Sequence, residues 1–230
     1  MEKNFIESSW TKQDETFEKP LRPQTLNQFI GQKDLKERLK IFIGAAQKRK
    51  EPLNHMLLCG SPGLGKTTLA NIIAKTMNSN IVVTTGPVIE KPKDLAGILT
   101  NLKRGDILFI DEIHRIPNYI EEYLYPAMED FTLDLLIDTG PNARSVQLKL
   151  NQFTLIGATT RIGLLSGPMR SRFIFNARLN YYNTDDLISI ITRSANILNL
   201  NIDKSASLSL AKRSRGTPRI ATNLLKWVRD

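Results

Sequence analysis

Residues 60–67 read Gly60-Ser-Pro-Gly63-Leu-Gly65-Lys66-Thr67 and fit the pattern G-x-x-x-x-G-K-[ST] without a mismatch. This octet constrains the fold more than any other part of the chain. A short apolar run, 55–59, ends at Gly60, and apolar residues return at helical period from Thr68 to Met77. The order is therefore buried strand, glycine loop, helix. Such a loop turns its backbone N–H groups inward, and the helix N-terminus behind it adds a positive end, so together they cradle phosphates. Gly60, Gly63 and Gly65 provide the cradle, and Lys66 is expected to reach the β- and γ-phosphates. The Thr67 hydroxyl is expected to hold Mg²⁺, and Thr68 to donate to the α-phosphate. ATP with Mg²⁺ is the implied ligand.

The rest of the chain repeats the strand-and-helix rhythm. Strand-like runs lie at 81–84, 107–110 and 153–158, and helical spacing at 35–48, 93–102 and 118–128. This alternation predicts an α/β domain with a parallel sheet flanked by helices. Residues 131–137 and 145–150 partly alternate around a turn-rich Asp138–Asn142, which reads as an inserted β-hairpin over 131–150. Beyond Asn180 the strand signals stop, and 185–198, 204–214 and 218–228 read as helices, the last with Thr217 as N-cap and Pro218 in the first turn. The expected organisation is a polar, poorly ordered leader over 1–20, a large domain over 21–180 and a small helical lid over 181–230. No apolar run is long enough for a membrane span. The single Cys59 excludes an internal disulfide framework and suits a cytoplasmic protein. Of the net charge of +9, residues 201–230 carry +5, from seven basic residues and two acidic ones. That end of the chain is either a solvated helical face or a surface near nucleic acid.

A second acidic motif completes the first. Ile107-Leu-Phe-Ile-Asp111-Glu112 is an apolar strand with two carboxylates at its C-terminal end, the end that faces ligands in open α/β sheets. Asp111 is placed to bind Mg²⁺, and Glu112 is the candidate base that polarises the attacking water. Taken alone the pair could equally be helix N-terminal charge. Phe153–Ala158 leads into Thr159 and Thr160; Thr160 is either a γ-phosphate sensor or a turn former. Two arginines in Pro168-Met-Arg170-Ser-Arg172-Phe are candidates for meeting charge on the γ-oxygens, with Arg172 first and Arg170 second. Arg219, in the first turn of the last helix, opposes the helix dipole and so invites a role outside the helix. His55 and His114 lack partners at metal-ligand spacing, and Cys59 reads as a small buried hydrophobe. His114 is either a relay from Glu112 or a hydrogen-bonding group.

Leu21-Arg-Pro, Phe29-Ile-Gly-Gln32, Gly63–Ala70, Asp111-Glu-Ile-His-Arg115, Tyr125-Pro-Ala-Met-Glu-Asp130, Gly157-Ala-Thr-Thr-Arg161 and Arg215-Gly-Thr-Pro-Arg-Ile220 together resemble the bacterial Holliday-junction branch-migration ATPases, the RuvB family of AAA+ proteins. The resemblance runs from about Leu21 to the end. It implies a ring-forming, hexameric DNA motor that acts on four-way junctions. Leu21 and Arg22 would line the adenine and ribose, and Tyr182 would close over them. Thr160 would be the sensor, Arg172 a finger acting on the neighbouring subunit's nucleotide, and Arg219 the lid's sensor. Asp130, Phe131 and Thr132 would lie near nucleotide across a subunit contact. The hairpin would dock a RuvA-like junction-binding partner, unless its apolar residues pack on the protein's own sheet. Two departures stand out. The family continues into a winged-helix DNA-binding domain, so either this is a piece of a longer chain or DNA contact rests on the basic helices. Ile174 also stands where the family usually has glycine. The alternatives are another AAA+ replication ATPase such as a clamp-loader subunit, and a truncated nucleotide-binding partner protein without motor activity.

Overall fold

A computed structural model describes residues 20–136 and 145–229. The expected leader over 1–19 and the hairpin turn at 138–142 lie outside the described residues. The chain forms two units, one of Gln32–Asn180 and one of Met1–Gly31 with Tyr181–Asp230.

The first unit opens with α1 (Lys33–Arg49) and alternates through β1 (Met56–Cys59), α2 (Lys66–Met77), β2 (Ile81–Thr85), α3 (Pro92–Thr100) and β3 (Ile107–Asp111). It continues with α4 (Asn118–Glu129), a hairpin of β4 (Thr132–Leu136) and β5 (Ser145–Lys149), β6 (Thr154–Thr159), a short helix α5 (Gly167–Ser171) and β7 (Phe175–Arg178). Five strands make one parallel sheet in the order β2-β3-β6-β1-β7. The three central strands are the apolar runs read from the sequence. They are buried along nearly their whole length, as parallel strands covered on both faces must be. β7 and α5 were not anticipated. Phe175-Asn-Ala-Arg178 buries only alternate residues, because it is an edge strand with one covered face, and four residues are too few to declare that pattern.

The hairpin is antiparallel, with Leu133 opposite Leu148. Leu133 is fully buried in the core with Leu57, Leu108, Leu124 and Phe153, and Phe131, Leu135, Leu148 and Leu150 pack against the same cluster. The apolar face of the hairpin base is thus occupied by the protein's own domain, and the opposite face, which carries the cross-strand pair Asp134 and Gln147, is exposed.

The second unit contains α6 (Thr184–Ile197), α7 (Lys204–Arg213) and α8 (Pro218–Arg229). Leu187, Ile191, Leu210, Ala211, Ala221 and Leu225 form its interior. Asn183 and Asp203 cap α6 and α7 by accepting from the amides of Asp186 and Ala206 at 2.7 and 2.6 Å. The Ala206 bond holds the Asp203 carboxyl below its ordinary range. α8 begins where Pro218 placed it, and the Thr217 hydroxyl reaches back to the Arg215 carbonyl at 3.4 Å.

The described residues before Gln32 group with the helices, not with the α/β domain. The Leu21 carbonyl accepts from Arg193 Nη1 of α6 at 2.7 Å. Gly31 has a φ of 74°, and a Cβ there would stand 2.8 Å from the Tyr182 ring. Immediately afterwards, the Gln32 side-chain amide pairs with both backbone groups of Asn180, at 2.6 and 3.1 Å.

Candidate functional site

The sheet register explains why the motifs meet. Cys59 lies opposite Thr159, and Ile110 opposite Gly157. β1, β3 and β6 are adjacent and parallel, so the loops that leave their C-terminal ends emerge along one edge of the sheet. The phosphate-loop motif, the acidic pair and Thr160 follow these three ends directly.

The loop that leaves β1 has the glycine geometry of an anion cradle. Gly60, Gly63 and Gly65 have φ values of 151°, 77° and 99°. At Gly60 a Cβ would come within 2.7 Å of the Leu179 carbonyl. α2 starts at Lys66 with no side-chain cap at Gly65, so the helix presents its first amides uncapped by protein. Lys66 is buried, and its Nζ donates to the carbonyls of Gly60 at 2.7 Å and Ser61 at 3.1 Å. Burial pushes the Lys66 pKa down, while Asp111 and Glu112 pull it back up. The ammonium and both carboxylates therefore share one electrostatic site.

Asp111 ends β3, and burial raises its pKa against the pull of the Glu112 amide, which donates to Oδ1 at 2.9 Å, and of Lys66. A carboxylate in this position gains from a compensating cation. With the Thr67 hydroxyl it supplies hard oxygen donors, the kind Mg²⁺ takes, so the residues present fit that ion.

Glu112 sits at φ 48°, in the left-handed region, which turns the chain sharply off the strand. Two glycines make room for this turn. A Cβ at Gly86 would meet the Glu112 carbonyl at 2.5 Å, and one at Gly157 would meet Ile113 Cδ1 at 2.9 Å and Phe173 Cζ at 3.1 Å. The Glu112 carboxylate is held by its neighbours. Thr160 Oγ1 donates to Oε2 at 3.2 Å, and His114 Nδ1 lies 3.3 Å from the same oxygen. His114 Nδ1 is also 2.9 Å from Thr159 Oγ1, which accepts from the Arg161 amide at 3.0 Å. His114 thus bridges the acidic turn to β6. Thr159 is a site residue that sequence reasoning passed over; its place one residue before the candidate sensor was the available signal.

Arg172 follows α5, and its guanidinium is engaged within its own chain. It stacks 4.1 Å above the Tyr125 ring, donates from Nη1 to the Pro168 carbonyl at 2.7 Å, and pairs through Nη2 with Glu129 Oε2 at 3.2 Å. Arg170 is exposed. Asp130 is also exposed, while the Phe131 ring turns inward against His55 and Phe153. Leu21, Arg22, Tyr182 and Arg219 belong to the other unit, where Leu21 and Tyr182 are buried and Arg22 and Arg219 exposed. Cys59 is buried as expected, and burial raises its thiol pKa. Among the described residues no group of three or more His, Cys, Asp or Glu side chains is arranged to hold a metal on its own, and no helix is long and apolar enough to cross a membrane.

Comparison with known proteins agrees with this geometry. The family profile described as "Holliday junction DNA helicase RuvB P-loop domain" matches residues 21–179, and "RuvB AAA lid domain" matches 182–230. A Holliday junction branch migration complex subunit RuvB from Protochlamydia amoebophila is 64% identical over the whole chain, which covers 69% of that protein. The counterpart from Chlorobaculum tepidum is 58% identical over 98% of the chain and 66% of its own length. The solved structure of the Thermotoga maritima RuvB Holliday junction branch migration motor superposes with a TM-score of 0.83 at 51% identity, covering 92% of this chain and 66% of that one. The chain thus spans about two thirds of the length of the relatives it matches. With both of its units matched in order and the phosphate, acid and sensor residues meeting at one sheet edge, the chain belongs to the RuvB family of AAA+ P-loop proteins.

Proposed function

We propose that this chain is the ATP-hydrolysing motor part of a Holliday-junction branch-migration complex. The observation that carries the reading is the shared site of Lys66, Asp111, Glu112 and Thr160, built from the ends of three adjacent strands. A nucleotide binder needs only the cradle. The Glu112 carboxylate, held in reach of a polar sensor, adds what hydrolysis requires.

On ATP binding, Lys66 exchanges the carbonyls of Gly60 and Ser61 for β- and γ-phosphate oxygens, and the loop amides and Thr68 take the remaining oxygens. Thr67 and Asp111 hold Mg²⁺, which when bound neutralises phosphate charge. Glu112 orients and accepts a proton from the attacking water, with Thr160 and His114 fixing its carboxylate. Leu21, Arg22, Tyr182 and Arg219 are the nucleotide-contacting residues of the helical unit. In a ring of identical subunits, a hexamer by resemblance, Arg172 acts on the neighbour's γ-phosphate, with Arg170 as the second candidate. Asp130, Phe131 and Thr132 lie beside that contact. Duplex DNA at four-way junctions is the substrate, and a RuvA-like junction-binding protein docks on the exposed side of the hairpin, since its inner face is already packed. Such a complex works in the bacterial cytoplasm.

The test separates binding from turnover. Lys66→Ala should abolish magnesium-ATP binding measured by calorimetry. Glu112→Gln should retain that binding and lower kcat by about 10²–10⁴-fold, the range for loss of a general base. Unaltered turnover in Glu112→Gln would refute the assignment.

A further inference from the structure

Three residues of α4 lie on one helical stripe, at i, i+4 and i+8: Glu121, Tyr125 and Glu129. All three hold the segment that carries Arg172. The Ser166 hydroxyl donates to the buried Glu121 Oε1 at 2.5 Å, which uses its one proton. Ser166 Oγ accepts from the Met169 amide at 3.1 Å as the N-cap of α5, so Tyr125 OH, also 3.1 Å away, is the donor in that contact. The face of the same Tyr125 ring carries the Arg172 guanidinium, and Glu129 pairs with it. The finger segment is therefore anchored on α4 at both ends. α4 itself begins six residues after Glu112.

The hold on Arg172 is incomplete. Its Nε is buried and has no acceptor among the described residues, and a buried unpaired donor is unfavourable. The pair with Glu129 is half open to solvent. A carboxylate beside the guanidinium also opposes the approach of a polyanionic triphosphate.

We infer that Glu129 is a positioning residue that parks Arg172: it holds the guanidinium on the Tyr125 ring and must yield it when the finger meets a neighbour's γ-phosphate. The inference rests on the finger role proposed above for Arg172. The tether belongs to the helix that follows the acidic pair, so each subunit's own nucleotide site is linked through α4 to the finger it lends to the next.

Glu129→Gln keeps an oxygen acceptor of the same size and removes the charge. In the full chain with duplex DNA it should raise kcat about threefold, the Coulomb effect of one partly screened charge a few ångströms beyond contact, with KM for ATP unchanged. In Arg172→Ala subunits the same substitution should change nothing. A kcat that is unchanged or lower, or an equal rise without Arg172, overturns the parking role. A readout independent of turnover is the ¹⁵N spectrum of arginine-labelled protein, with Arg172 identified by its absence in Arg172→Ala. The guanidinium signals should be held and distinct in the wild type and averaged in Glu129→Gln; averaging already in the wild type overturns the tether. The finger reading fails separately, if Arg172→Ala subunits keep full turnover or if mixing them with Lys66→Ala subunits restores none.

Discussion

His55 shows how one side chain can be committed entirely to structure. Its Nδ1 accepts from the Leu155 amide at 2.9 Å, which leaves Nε2 to carry the proton and donate to the Met128 carbonyl, also at 2.9 Å. The ring is buried against Phe153 and Phe131. A proton on Nδ1 would face an amide hydrogen, and burial lowers the His55 pKa below 6.5 against the opposing pull of the Met128 carbonyl. The folded chain thus binds fewer protons here than the unfolded chain does. The contribution of this neutral ring is full above the unfolded value and is lost as pH falls below about 6.5. Urea unfolding at pH 7.5 and 5.5 should show a lower midpoint at the acidic pH, and His55→Gln should reduce the difference while lowering stability at both. An equal pH dependence in His55→Gln would assign the effect elsewhere.

At the scale of elements, β6 is where the two halves of the chemistry come together. Gly157 has no side chain, and Ile113, next to Glu112, and Phe173, next to Arg172, both lean into that space. A methyl group there must displace two buried side chains, so Gly157→Ala should destabilise the fold by about 1–3 kcal/mol in urea titration, the usual range for overpacking. Turnover should fall further than the loss of folded protein accounts for; turnover that tracks folded protein would show that neither site residue depends on this contact. The central strands and the long helices were legible in the amino-acid order because their burial is one- or two-sided over many residues. The phosphate loop and acidic pair were legible because each is contiguous. What escaped notice depends on packing between distant segments: β7 as a short edge strand, α5 with its Ser166 cap, and the Glu121, Tyr125 and Glu129 stripe. The stripe had a readable signal, a spacing of four residues twice over, but the partners that give it meaning lie more than forty residues away. The hairpin was readable as a hairpin, whereas the direction of its apolar face was not, since Leu133 and Leu148 match a partner's surface and the protein's own core equally well.

For the molecule as a whole, charge is the property most relevant to a polyanionic substrate. Over half of the net charge of +9 falls within residues 201–230, and Lys212, Arg213, Arg215 and Arg219 are all exposed. Binding of duplex DNA by the chain should therefore weaken steeply with salt, with log K falling linearly in log salt concentration. Replacing Lys212 and Arg213 by Gln should make that slope shallower by about 1–2, read by fluorescence anisotropy across a salt series. A slope that is unchanged would move the DNA surface to another part of the protein. The chain path has a consequence of its own. The helical unit is assembled from two stretches of sequence, one before Gln32 and one after Asn180, and the side chain of Gln32 ties both crossing points together. This module has no single point of attachment, so grafting it onto a relative, or excising it, takes two cuts. A tail that starts at Tyr181 would leave Arg193 without the carbonyl it grips and Tyr182 without the glycine beneath its ring.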